Sequence, residues 1–368
     1  DAFNGVLLWS RSIENWGWKS WSDKPVADGN GGRFTQPPHI ARTLVAAGDT
    51  IYVTLGFGAP VSAIDGRTGE IIRSYAGTEN TDEILVADGR LYLAVHDQSL
   101  KERTDAEVNR RRKGEKASPS TKRMMAVNAA TGSILWEGGS HVGISEKQQF
   151  MEIHRHLNPV LGDGKIFFAT RTELVCLNAE TGKEAWRRPR PAAEEHLMRY
   201  QMRATDMVTL VYHSGHLFFS QLEPTKRVGW RDVKATIHAF STNDGKPLWN
   251  RVCASWGWGS PADVLITQGL VWVHEFKTST IQGIDPATGK VLRTTSNKIA
   301  FDDGHHHRCY RNKATSNFLL TSYRGVELID WDNQRETSLN HWFRAACRYG
   351  LLPANGLLYN SPNPCSCY

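Results

Sequence analysis

One short phrase recurs along the whole chain and constrains its fold more than any other feature. It runs from an apolar residue through a polar pair to Thr-Gly or a stand-in, then into a second apolar stretch ending on a bulky residue. Copies lie at Asp1–Trp9, Ile64–Ile72, Val127–Trp136, Leu177–Trp186, Phe240–Trp249 and Ile284–Arg293, with a degenerate one at Ile329–Arg335. Each copy reads as a β-hairpin, because the glycine supplies the positive φ of the turn and apolar strands flank it. Upstream of most copies stands a second hairpin, such as Leu44–Val53, Ile84–Leu93 around Asp88-Gly89, and Val160–Phe168 around Asp163-Gly164. Two more are centred on Ser214-Gly215 and Gln268-Gly269. Two hairpins make one four-stranded sheet.

The turn glycines stand at positions 5, 69, 132, 182, 245 and 289, so the period is that of a propeller blade with insertions. The fold class expected is all-β: a seven-bladed β-propeller, or an eight-bladed one if the stretch near Arg199 or Trp230 hides a further blade. The last upstream hairpin, Leu351–Asn360, lacks a downstream partner and the first downstream one, Asp1–Arg11, lacks an upstream partner. Pairing the N- and C-terminal strands would close the ring and remove its open edges. Residues 1–368 then form a single domain, with an insertion loop at about 98–122 that carries the basic run Arg110–Lys113. That run, helped by Lys101, Arg103, Lys116, Lys122 and Arg123, reads as a solvated loop within a net charge of +6.

No stretch of 18 apolar residues occurs, so no membrane span is expected. Nor is a nucleic-acid partner expected. The chain starts at Asp1 without a leader, which reads as a processed segment.

The repeated Asp-x-x-Thr-Gly-x-x-x-Trp pattern resembles the quinoprotein-like superfamily of propellers, built of PQQ-like repeats. That superfamily includes quinoprotein dehydrogenases and an outer-membrane assembly factor. The resemblance implies a periplasmic or secreted location and leaves both a cofactor enzyme and a binding scaffold open. The dehydrogenases carry two adjacent cysteines beside the quinone, and this chain has no Cys-Cys pair. PQQ is therefore not expected.

In a propeller the loops entering the innermost strands open on one face beside the axis. Here those loops hold Arg33–Arg42, Glu79–Glu83 with Asp82, His154–His156, Arg199–Asp206, Trp256–Asp263, His305–Arg308, and His341 with Arg344 and Arg348. Such a gathering of imidazoles, guanidiniums and aromatic rings suits an anionic ligand, a polysaccharide or another acidic molecule. The catalytic candidates are His154, His156, His306, Tyr310, Arg308 and Arg203. In an eliminative lyase, His306 or His154 would take the C5 proton of a uronate and Tyr310 or Tyr200 would protonate the leaving oxygen. Arg308 or Arg203 would neutralise the carboxylate. Ligand-binding candidates are Trp16, Trp18, Arg155, Arg199, Tyr200, Trp256, Trp258, His341, Arg344 and Arg348. His305 and His307 are the candidate ligands of a divalent metal, with metal-free proton transfer equally open.

A non-catalytic scaffold binding a protein or an envelope polymer is the alternative reading. Of the six cysteines, Cys347 would pair with Cys365 or Cys367, leaving Cys309 for the remaining one; Cys176 reads as a buried thiol.

Overall fold

The computed structural model describes residues 6–13, 42–56, 58–99, 101–103, 105–106, 113, 120–145, 155–191, 208–222, 234–254, 263–275, 278–298, 311–323, 325–332, 335–342, 345 and 350–360. Among these, strand dominates and every ladder is antiparallel. Blade 1 holds β1 to β4 (Leu44–Ala47, Thr50–Thr54, Val61–Asp65, Ile71–Ser74), and blade 2 holds β5 to β8 (Thr81–Ala87, Arg90–His96, Thr121–Asn128, Ile134–Val142). A small ladder pairs β9 (Ile144–Ser145) with β10 (Arg155–His156). Blade 3 holds β11 to β14 (Val160–Gly162, Lys165–Ala169, Glu173–Asn178, Glu184–Pro189).

Blade 4 is β15 to β18 (Thr209–His213, His216–Leu222, Lys234–Ser241, Pro247–Ala254), and blade 5 is β19 to β22 (Leu265–Thr267, Leu270–His274, Thr280–Ile284, Val291–Ser296). Blade 6 is β23 to β26 (Lys313–Ala314, Phe318–Thr321, Val326–Asp330, Ser338–Asn340), followed by the hairpin β27 to β28 (Leu351–Ala354, Leu357–Asn360). In all six sheets the strands are ordered as in the sequence. The chain forms two compact units: Asp1–Glu146 with Phe150–Arg190, and Lys147–Gln149 with Pro191–Tyr368.

Two kinds of turn set the registers. In blades 2 to 5 the inner hairpins turn on a residue and a glycine that both take positive φ, as at Asp88 (49°) and Gly89 (68°). This is the type I′ geometry whose twist matches the flanking strands. The recurring Thr-Gly phrase forms the outer hairpins. There the Asx side chain folds back over its own turn: Asn178 Oδ1 accepts the amides of Glu180 and Thr181 at 3.0 and 2.9 Å. The glycine closes the loop, Gly182 N donating to Asn178 O at 2.9 Å.

The outer turns of blades 2, 3, 5 and 6 each receive a side chain from the blade before. Trp136 of β8 lies on Gly182, where a Cβ would meet the indole at 2.6 Å, and its Nε1 donates to Ala179 O at 3.0 Å. Trp249 treats Gly289 and Pro286 O in the same way. So does Trp9 with Gly69 and Gly66 O, although residues 6–13 form no strand. Where the phrase lacks tryptophan, a guanidinium takes over: Arg73 donates to Thr131 O and Arg293 to Trp331 O.

The core lies between blades. Tyr92, Met124 and Trp136 of blade 2 meet Ile166, Phe168 and Val175 of blade 3. Blades 4 and 5 share Phe218, Ile237, Val271 and Ile284. Blades 5 and 6 stack the buried Trp272 on Trp331, with ring centroids 4.5 Å apart. Truncating a buried tryptophan in such a layer costs about 3–5 kcal/mol.

Candidate functional site

The glycine turns occupy one end of every blade, and buried polar residues occupy the other. In blade 2 that end is built by the start of β5, the end of β6 and the start of β7, with His96 paired to Lys122 across the ladder. A bulge between Thr81 and Glu83 breaks the alternation. Two consecutive carboxylates, Asp82 and Glu83, are therefore both buried. Lys122 Nζ, fully enclosed, sits 2.7 and 2.8 Å from the two oxygens of Asp82 and 3.4 Å from Glu83 Oε1. It belongs to β7 and not to the solvated basic loop expected from the sequence. Arg103 departs from that expectation too, since its Nη1 is 3.0 Å from His96 Nε2 inside the blade.

Glu83 reaches into the next blade, accepting the amides of Leu157 at 2.8 Å and Asn158 at 3.0 Å, and it also accepts a bond from Arg42. Burial would raise its pKa, but the charges of Lys122 and Arg42 outweigh burial and hold the carboxyl below its usual range. His96 is driven down to about 3 by burial, against the pull of Asp82, so its ring is neutral. Its Nε2 is 2.8 Å from Asp82 Oδ2, while its buried Nδ1 has no hydrogen-bond partner. A proton on Nδ1 would be an unsatisfied buried donor, costing about 1–3 kcal/mol. Nε2, however, faces both Asp82 and the guanidinium of Arg103, which can only donate, so the ring serves Asp82 with its proton on Nε2 or Arg103 with its proton on Nδ1. Removing one partner of a buried ion pair of this kind costs about 3–5 kcal/mol. Enclosed as it is, the cluster fastens blade 2 to blade 3 and offers no surface to a ligand.

The second unit carries a more open counterpart. Arg311, just before β23, donates to Thr209 Oγ1 at 2.6 Å and to Val208 O at 3.2 Å, both at the entry of β15. Between them lies Asp263, before β19, with Oδ1 4.0 Å from Arg311 Nη1 and Oδ2 accepting Asn312 N at 2.9 Å. Entries of three successive inner strands thus meet. Burial pushes the Asp263 carboxyl up to about 6, against Arg311. Lys313 is lowered by burial, with Asp263 opposing. Arg311 keeps 29% of its side chain exposed, so this rim offers cationic groups to solvent.

Few of the candidates named from the sequence fall on described residues. His156 ends β10 close enough to Glu83 for its charge to favour that carboxylate. Arg155 is placed by its backbone, opposite Ser145. His341 is exposed, directly after β26. His154, Arg199, Tyr200, Arg203, His305, His306, His307, Arg308 and Tyr310 lie outside the described residues, as do Trp16, Trp18, Trp256, Trp258, Arg344, Arg348 and the cysteines Cys309, Cys347, Cys365 and Cys367. Cys176 and Cys253 are buried free thiols, and burial pushes Cys176 up to about 12. No group of three or more metal-ligating side chains occurs among the described residues. No helix among them is long and apolar enough to cross a membrane.

Sequence reasoning missed His96, Lys122 and Arg311. Their signal was positional: each lies at the polar end of an inner strand, where the apolar alternation stops.

Residues 120–211, spanning β7 to the entry of β15, match the PQQ-repeat family described as outer membrane protein assembly factor BamB. Over these residues the chain resembles PQQ-like repeats. The matched region contains a whole PQQ-like blade, blade 3, with the tryptophan of blade 2 seated on its turn. Among solved structures, BamB from Moraxella catarrhalis is 13% identical with a TM-score of 0.41, over 76% of this chain and 68% of that one. A quinohemoprotein alcohol dehydrogenase from Pseudomonas putida HK5 is 15% identical with a TM-score of 0.39, over 86% of this chain and 50% of that one. The corresponding enzyme from Comamonas testosteroni is 16% identical with a TM-score of 0.37, over 69% and 42%. This chain thus spans half or less of either dehydrogenase. No curated protein matches its sequence.

Proposed function

We propose that this PQQ-like repeat protein is an extracytoplasmic binding protein that takes an anionic, carboxylated carbohydrate at the strand-entry rim of its blades. The observation that carries the reading is the meeting of Thr209, Asp263, Arg311 and Lys313 from three blade entries, with two cations around one buried carboxylate and Arg311 reaching solvent. Guanidinium and ammonium groups held by neighbouring blades bind carboxylates with little further ordering cost. The histidine run His305–His307 and Arg308 immediately precede Arg311 in the sequence. The extracytoplasmic setting is supported by the family match to an outer-membrane assembly factor.

On this reading the chemistry is β-elimination. A base, His306 or His154, takes the proton from C5 of a uronate while the carboxylate rests on Arg308 or Arg203. The C4–O bond breaks as the C4=C5 double bond forms, and Tyr310 or Tyr200 returns a proton to the leaving oxygen. His156 is a further candidate for this proton transfer, and His305 with His307 would hold a divalent metal. The test is to incubate the protein with uronic-acid polymers and follow absorbance of the unsaturated product, with elemental analysis of the same preparation. Product formed by the wild type and lost in His306→Ala supports elimination. Binding without product keeps the carbohydrate reading and removes the lyase; no binding to any acidic polymer removes both.

The second reading is a non-catalytic scaffold for a protein or envelope polymer, favoured by the match to an assembly factor. It predicts that replacing His305, His306 and His307 together with alanine leaves capture of that partner intact.

A further inference from the structure

Blade 6 carries an exposed aromatic residue that the cationic rim does not use. Trp342 stands two residues beyond the end of β26 and is 85% exposed, whereas tryptophan is highly buried on average in folded proteins. The registers place it on the same rim as Arg311 and Lys313. Asn340 pairs with Val326, Thr321 with Glu327, and Lys313 with Leu320. The starts of β23 and β25 and the ends of β24 and β26 therefore share one end of the blade.

Along that end the chemistry changes with radius. Cations stand at the inner strand, and Ser322 with the half-buried Tyr323 follows β24. Glu327 folds back to accept the amides of Tyr323 and Gly325, which ties down the loop between β24 and β25. His341 and Trp342 close the outer edge. Three inter-strand spacings separate β23 from β26, roughly 14 Å, which is too long for one sugar ring and suits a short oligosaccharide.

We propose that the upper edge of blade 6 is an extended subsite for a carboxylated oligosaccharide, with a uronate on Arg311 and Lys313 and a more distal pyranose stacked on Trp342. This rests on the carbohydrate reading above and adds to it a direction and a minimum length. A flat indole exposed beside a polar rim offers an apolar face to the C–H side of a sugar ring while its edge stays hydrated.

The experiment is calorimetric titration of the whole chain with uronic-acid oligosaccharides from one to six units. Trp342→Ala is expected to weaken the longer ligands about tenfold while leaving the monosaccharide unchanged, and Trp342→Phe is expected to recover most of the loss. Arg311→Lys and Lys313→Ala should weaken every length. Equal binding of hexamer by wild type and Trp342→Ala would overturn the subsite while leaving the cationic rim standing. Wild-type protein that binds none of the oligosaccharides would overturn both.

Discussion

The buried charges of the two units respond to pH in opposite senses. Asp263 has its carboxyl raised from 3.8 to about 6, so the native state holds its proton more tightly than the unfolded chain does. Its contribution to stability is complete below the unfolded pKa and is lost as pH rises through about 6. His96 and Glu83 are both depressed in the fold. Their contributions are present above their unfolded values and are lost on acidification, for His96 as pH falls from 6.5 towards 3. Asp263→Asn keeps an oxygen for Asn312 N and removes the titration. Urea unfolding at several pH values should show the variant gaining on the wild type between pH 4 and pH 6. A constant difference between the two curves would contradict this assignment. None of this could be read from the residues alone. Lys122 stands in a stretch rich in lysine and arginine and resembles its solvated neighbours until strand register turns it inward, and the bulge that buries both Asp82 and Glu83 leaves no mark in the sequence.

Single hairpins were legible because their turn chemistry is local. The Thr-Gly phrases at Ile64–Ile72, Val127–Trp136, Leu177–Trp186, Phe240–Trp249 and Ile284–Arg293 all join a third strand to a fourth, and so does the degenerate one at Ile329–Arg335. What joins one blade to the next was hidden, because Trp136 and Gly182 meet only after two sheets have formed. The two roles of such a glycine separate by mutation. Gly164 has a φ of +65° with open space around it, whereas Gly182 combines a φ of +70° with an indole that an added Cβ would meet at 2.6 Å. Gly164→Ala should cost about 1–2 kcal/mol from the backbone alone. Gly182→Ala should cost at least about 3 kcal/mol, since the tryptophan must also leave its seat. Thermal unfolding of the two variants side by side measures the difference, and equal losses would mean that the indole contact contributes nothing.

At the scale of the molecule, periodicity carried the architecture: among the described residues, six four-stranded sheets in sequence order followed by a hairpin at 351–360. The site was less legible, since function depends on which rim residues reach solvent. Asp82, Glu83 and Asp263 all turn out buried and paired, and Arg311 beside Asp263 keeps part of its side chain exposed. With a net charge of +6, binding of an acidic polymer at an exposed rim should weaken as salt rises from 50 to about 300 mM, because the Debye length shrinks to less than the spacing of the contacts. Salt-independent affinity would point instead to an apolar contact such as Trp342.

The seating of a blade's last strand on the following turn, as with Trp136 on Gly182 and Trp249 on Gly289, gives the repeat a direction. Shortening it from the front empties a groove, while shortening it from the back strands an indole or a guanidinium in water. The segment that can be copied or deleted cleanly is therefore offset from the sheet, running from one outer turn to the next. Duplication in that frame would supply every new tryptophan with its glycine.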